Sequence, residues 1–214
     1  PDVLRKKVLT PHEVVAGDLT DMKSLRRCLE GIDCAYYLVH SMDEKNGFAA
    51  RDRQAAQNFA VAARAAGLKQ IIYLGGLGSD DDNLSLHLKS RHEVGEILRN
   101  SGVPTTEFRA SIILGSGSRS FELIRSLVER LPMMITPRWV STPAQPIAID
   151  DVLAYLVKAR HLHPTHSEVY EIGGADCVSY EDLMREYARQ MGFRRFIIRL
   201  PFLTNKLYRL DDGC

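Results

Sequence analysis

Apolar residues along this chain come in short runs separated by stretches with a 3.6-residue rhythm, the alternation expected of an α/β domain. Glu13-Val14-Val15-Ala16-Gly17 reads as a short strand. Thr20 or Asp21 then caps a helix that runs to Leu29 and is stopped by Gly31. Ala35-Tyr36-Tyr37-Leu38-Val39 has the pattern of a buried strand, and an Ala-rich helix follows from Gly47 to Ala66. Gln70 to Leu74 is the next strand and runs into the glycine loop Gly75-Gly76-Leu77-Gly78. A helix from His87 to Arg99, a long strand from Thr105 to Leu114 and a helix from Phe121 to Arg130 continue the alternation. After Pro132 the rhythm changes, and Pro137, Pro143 and Pro146 mark an irregular connector. Asp150-Asp151 caps a helix over Val152 to Arg160, and Glu168 to Ile172 is a short strand. Ser179 with Asp182 three residues on forms a capping box that opens a helix to Met191, and Phe196-Ile197-Ile198 is a last short strand.

Strands separated by helices are joined by right-handed crossovers, so the sheet is mainly parallel. Ligands of such sheets bind at the carboxyl ends of the strands. That rule selects Asp18, His40-Ser41, Gly75 to Ser79, and Ser111 to Ser118.

Composition narrows the function classes. The 214 residues are 45% hydrophobic and 26% charged, a mixture that forms a packed core rather than a disordered chain. A net charge of +1 gives no electrostatic case for nucleic acid or an anionic membrane. No apolar run approaches the ~20 residues of a membrane helix. Cys28, Cys34, Cys177 and Cys214 show neither CxxC nor metal spacing, and they read as reduced thiols of a cytoplasmic protein.

Each strand end has a functional and a plain reading. Asp18 can accept a hydrogen bond from an adenine amino group, or its loop can simply cap the next helix. His40 and Ser41 can contact a ribose, or start an ordinary loop. Gly75 and Gly76 allow close backbone approach to a ligand, or make a turn. Gly115-Ser116-Gly117-Ser118 can hold an anion or cap a helix, and it is neither GxGxxG nor a Walker loop. His161, His163 and His166 lack a partner at metal spacing and are read as a polar helix end. Asp80-Asp81-Asp82 is read as a solvated loop.

Taken in order, Gly17-Asp18-Leu19-Thr20-Asp21, Ala35 to Met42, Ile72 to Gly78 and Phe108 to Gly117 resemble the atypical and extended short-chain dehydrogenases. More narrowly they resemble NAD(P)-binding proteins similar to nucleoside-diphosphate-sugar epimerases. Arg138-Trp139 and Gln145 to Val152 strengthen the likeness, which covers nearly the whole chain. The resemblance implies a Rossmann-like parallel sheet flanked by helices, with NAD or NADP as cofactor and a small molecule as substrate. It implies that Asp18 and Leu19 border the adenine and that His40 and Ser41 line the cofactor near its ribose. Gly75 and Gly76 would lie beneath the nicotinamide half, and Ser111, Ile112 and Ile113 would close the pocket. The helices from Gly47 to Ala66 and from His87 to Arg99 match the family's usual dimer contact, so a homodimer is expected.

Two departures qualify the resemblance. The family's Tyr-x-x-x-Lys pair falls on His87 to Arg91, so His87 stands for the tyrosine and Arg91 for the lysine. Gly76 and Leu77 stand where a catalytic Ser or Thr is usual. Two activities therefore stay open, an oxidoreductase or epimerase-like enzyme using His87 and Arg91, and a non-catalytic dinucleotide sensor or assembly factor. The second departure is at the start. The first two strands and the glycine-rich diphosphate turn of the family are missing, and the chain reads as an incomplete product, or as a minimal protein completed by dimerisation. In the usual strand order their loss leaves a gap between the Glu13 to Val15 and Ala35 to Val39 strands. The edge near Val39 is then expected to be apolar and exposed. Residues 1–131 would form the partial cofactor-binding core and residues 132–214 a small, truncated substrate-side region.

Overall fold

The computed structural model describes residues 12–41, 47–78 and 84–199. Their elements run α1 (Met22–Leu29), β1 (Cys34–Tyr37), α2 (Phe48–Ala65), β2 (Gln70–Gly76), α3 (Leu86–Arg99), β3 (Thr105–Ala110), β4 (Ile113–Leu114) and α4 (Arg119–Arg130). They continue with β5 (Met133–Thr136), a short 3₁₀ turn, β6 (Pro143–Ala144), β7 (Ile147–Ala148), α5 (Ile149–Ala159), β8 (Glu168–Ile172), β9 (Val178–Ser179), α6 (Tyr180–Gln190) and β10 (Phe196–Arg199). The main sheet has the order β1-β2-β3-β8. β1 and β2 are parallel, with Ala35 opposite Ile71 and Tyr37 opposite Tyr73. The expected α/β class with a parallel sheet and flanking helices is what the chain adopts. The acidic stretch at Asp80 to Asp82 and the tail from Pro201 lie outside the described residues.

Several expectations need correction. Glu13 to Gly17 is not a strand. Its backbone is instead tied to α1, since Arg27 Nη2 and Cys28 Sγ donate to the Ala16 carbonyl and Ser24 Oγ accepts from the Asp18 amide. Among the described residues, then, no second strand faces β1 across a gap, and β1 is the terminal strand of the described sheet. Its apolar margin is exposed as expected, with Leu38 at 50% and Val39 at 55%. The long strand from Thr105 breaks after Ala110. Ile112 turns its carbonyl to the Ile147 amide, and Ile113–Leu114 pairs in parallel with Ile147–Ala148. The proline-marked connector is more regular than expected, because β5 pairs in parallel with β10 and β6 pairs antiparallel with β9. α5 starts at Ile149, which puts Asp150 and Asp151 in its first turn, where the helix dipole favours them, rather than at the cap. The capping box at Ser179 and Asp182 is present in both directions.

The chain divides into two compact units. The first takes the chain to Leu74, Lys89–Glu107 and Ala159–Val169. Its core joins Leu25 and Leu29 of α1, Phe59, Ala62 and Ala63 of α2, Ile71 of β2, and Val94 and Leu98 of α3. Apolar area removed from water holds these elements, at roughly 25 cal/mol per Å². The alanines let α2 lie close to its neighbours, and the Tyr37 and Phe59 rings meet edge-on with centroids 4.9 Å apart. The second unit takes Gly75–Leu88, Phe108–Lys158 and the chain from Tyr170. Ile112, Ile124, Val128, Met134, Val140 and Met184 form its core. No helix among the described residues is long and apolar enough to cross a membrane.

Candidate functional site

In the first unit, the loop before α1 and the loop after β1 are both anchored by α2. Asp18 is exposed, and its Oδ1 accepts from the Thr20 amide at 2.8 Å and the Thr20 hydroxyl at 2.7 Å. Those hydrogen bonds hold the Asp18 carboxyl below its ordinary value. Oδ2 receives neither bond and faces solvent as an anionic acceptor. The neighbouring Leu19 is half-buried against the core, and its carbonyl accepts from Asn58 Nδ2 of α2 at 2.8 Å. Helix α1 is capped by Asp21, whose side chain accepts from the Lys23 amide, so capping and Asp18 are served by different residues.

His40 is exposed three residues after β1, and Ser41 is half-buried beside it. Ser41 donates both its amide and its hydroxyl to Asp52 Oδ1, at 2.9 and 2.6 Å. The same carboxylate lies 3.4 Å from Ser90 Oγ of α3 through Oδ2. Tyr37 is buried close by, and burial first and the Asp52 charge second push its phenol well up. Arg91 is half-buried on α3, and its backbone carbonyl accepts from the Tyr73 hydroxyl at 2.9 Å. That bond explains why Tyr73 is a core residue: its one hydroxyl proton is committed to the helix backbone.

In the second unit, Gly75 and Gly76 are buried at the carboxyl end of β2. The Leu77 amide donates to the Ala110 carbonyl, so Gly76 and Ser111 stand at adjacent strand ends. Ser111 and Ile113 are half-buried. Ile112 is 1% exposed, and its side chain belongs to the core cluster. Ser118 caps α4, accepting from the Phe121 amide and donating to the Ile113 carbonyl. Its oxygen therefore serves the helix end. His87 is half-buried in the first turn of α3. The four-residue spacing of His87 and Arg91 puts both on one face of that helix.

Asp52 and Asn58, which strand-end reasoning missed, are the α2 residues that hold the two loops. The signal was present in α2, whose inward stripe runs Phe48, Asp52, Ala55, Phe59 and Ala62. A carboxylate on an apolar stripe needs a partner, and here the partner is the Ser41 loop.

A dinucleotide offers amino and hydroxyl donors on its adenosine half and a flat ring on its nicotinamide half. Within the first unit, Asp18 Oδ2 and Ser41 Oγ are acceptors suited to such donors; within the second, Gly75 and Gly76 are buried at the end of β2.

The comparisons point to the same class of cofactor. Residues 5–126 match a family described as NAD(P)H-binding. No curated protein matches the sequence. Among solved structures, MoeE5 in complex with UDP-glucose and NAD has 18% identity and a TM-score of 0.71, over 87% of this chain and 71% of that one. UDP-glucose 4-epimerase of Thermotoga maritima, with UDP-glucose, has 12% identity and a TM-score of 0.72, over 92% and 74%. The dTDP-4-dehydrorhamnose reductase of Bacillus anthracis, with NADP, has 13% identity and a TM-score of 0.68, over 86% and 73%. At such identities these structures establish the fold.

Proposed function

The chain belongs to the NAD(P)H-binding family, and from that premise we propose that it is an NAD(P)-dependent oxidoreductase or epimerase-like enzyme acting on a small molecule, with His87 as its proton-transfer residue. The observation that carries this reading is the pairing of His87 and Arg91 on one face of α3, the helix that follows the buried Gly75-Gly76 strand end. In the first unit, Asp18 and Leu19 would border the adenine of a bound cofactor and His40 and Ser41 its ribose. In the second, Gly75 and Gly76 would lie under the nicotinamide half, with Ser111, Ile113 and the backbone of Ile112 beside it.

When bound, the nicotinamide ring supplies a hydride to a carbonyl carbon, or takes one from an alcohol carbon. His87 does the matching proton work. Its imidazolium gives a proton to the carbonyl oxygen as that oxygen becomes an alcohol, and in the reverse direction the neutral ring takes the proton back. Imidazole is suited to this near neutral pH. Arg91 keeps its proton and presents donors to a substrate oxygen or a ribose. Tyr73 has no part in the step, because its hydroxyl is spent on the Arg91 carbonyl. UDP-sugars and dTDP-sugars are the substrates to try first, because the named relatives hold or act on them.

A second reading, a non-catalytic dinucleotide sensor or assembly factor, draws support from Gly76 and Leu77 at the position of the usual hydroxyl residue. Cofactor oxidation with a panel of carbonyl and sugar-nucleotide substrates separates the two. The enzyme reading expects turnover that falls at least about a hundredfold in His87→Ala, the usual worth of a general acid, with cofactor affinity kept. Turnover that is unchanged in His87→Ala removes His87 from the mechanism, and no turnover with any substrate favours the sensor. A homodimer is the expected assembly, with Val61 of α2, 59% exposed, on its face.

A further inference from the structure

The Asp52 carboxylate is unusual among the polar groups of the first unit. It projects from the inward stripe of α2 and takes no ion pair among the described residues. Its Oδ1 is filled by two donors from one residue, the amide and the hydroxyl of Ser41. Oδ2 stands 3.4 Å from the hydroxyl of Ser90, which is buried on α3.

A serine hydroxyl has one proton and two lone pairs. With the proton committed to Asp52 at 2.6 Å, Ser41 Oγ can only accept. A group that meets it must therefore bring a hydrogen. A sugar hydroxyl does so. A phosphate at neutral pH brings only acceptors and negative charge, and it would face the carboxylate behind the serine.

We propose that Asp52 is a positioning residue that makes Ser41 Oγ a dedicated acceptor for a ribose hydroxyl and sets its direction. The inference rests on the reading above that the His40-Ser41 loop borders the cofactor. Asp52 does not touch the cofactor. It works through Ser41, and its approach to Ser90 links the loop to the helix that carries Arg91.

Two measurements on the 214-residue chain test this. The first is amide hydrogen exchange at Ser41. Protection is expected in the wild type and in Asp52→Asn, whose side-chain oxygen still accepts, and its loss is expected in Asp52→Ala. The second is titration with NADH and NADPH, followed by cofactor fluorescence. Ser41→Ala and Asp52→Ala should each weaken binding about tenfold, the worth of one well-directed hydrogen bond. The double variant should bind no worse than either single variant, because the two residues act as one unit. Asp52→Asn should stay within about twofold of wild type, since the bond it accepts is kept.

Unchanged Ser41 exchange in Asp52→Ala overturns the link between the residues, whatever the cofactor does. Losses that add in the double variant overturn action through Ser41. A wild-type chain that saturates with neither cofactor, while Ser41 exchange responds as expected, overturns the placement of the cofactor at this loop and the role of Asp52 with it.

Discussion

Asp18 shows how a single side chain is prepared for a ligand. Thr20 supplies two hydrogen bonds to one carboxylate oxygen, which favours the ionised form and leaves the other oxygen facing solvent. Because the folded-state value is lowered, the stabilising contribution is present above the ordinary carboxylate range and is lost as pH falls through the lowered value. At neutral pH the acceptor is therefore fully charged. A carbon-detected NMR titration should place the Asp18 midpoint below the usual value of 3.8, and Thr20→Val should move it back up. A midpoint that does not respond to Thr20→Val would show that the threonine hydroxyl does not hold the carboxylate. Asp52 is prepared differently, by a loop that folds back onto it.

At the scale of elements, α3 is fixed from several sides. Arg99 near its end is paired with Glu107 of β3, whose side chain is fully buried. Gly95 lies directly over that carboxylate: an added Cβ would stand 2.6 Å from Glu107 Oε2 and 2.8 Å from its carboxyl carbon. Glu107 cannot retreat, since it is enclosed and held by the guanidinium. Gly95→Ala should therefore lower unfolding stability by about 1–3 kcal/mol, the usual cost of overpacking, despite the better helix propensity of alanine. Urea denaturation measures this, and an unchanged or raised stability would mean that the helix shifts away from β3 at no cost.

Much of this layer was legible in the sequence. The helices α1, α2, α3, α4 and α6 appear within about two residues of their expected limits, because caps, glycine stops and apolar stripes agree on each. What failed had physical causes. Glu13 to Gly17 carries β-forming residues, but strand formation needs a neighbour, and the side chains of α1 took its polar groups instead. β5 was hidden because apolar residues occupy both of its faces, so no two-residue alternation stands out, whereas its partner β10 was expected at Phe196 to Ile198. Ile112 has the right position at a strand end, yet its side chain is a core side chain. Strand ends pointed to Asp18, His40 and Ser41. They could not point to Asp52 and Asn58, which act from the middle of a helix and across 11 and 39 residues of sequence.

For the molecule as a whole, β1 is the terminal strand of the described sheet, and Leu38 and Val39 follow it in the open. An exposed apolar strand margin favours association with other chains. Val39→Lys should reduce concentration-dependent association in sedimentation velocity without changing the circular dichroism spectrum. Equal association in the variant would place the contact elsewhere, for example on the α2 face around Val61. The proposed function requires that the chain bind a nicotinamide dinucleotide and that Asp18 take part in holding it. The direct measurement is titration of the 214-residue chain with NADH and NADPH, with circular dichroism to establish that it is folded. The account predicts saturable binding of at least one of them, weakened about tenfold in Asp18→Asn. A folded chain that saturates with neither, or that binds equally well without the Asp18 carboxylate, would contradict it.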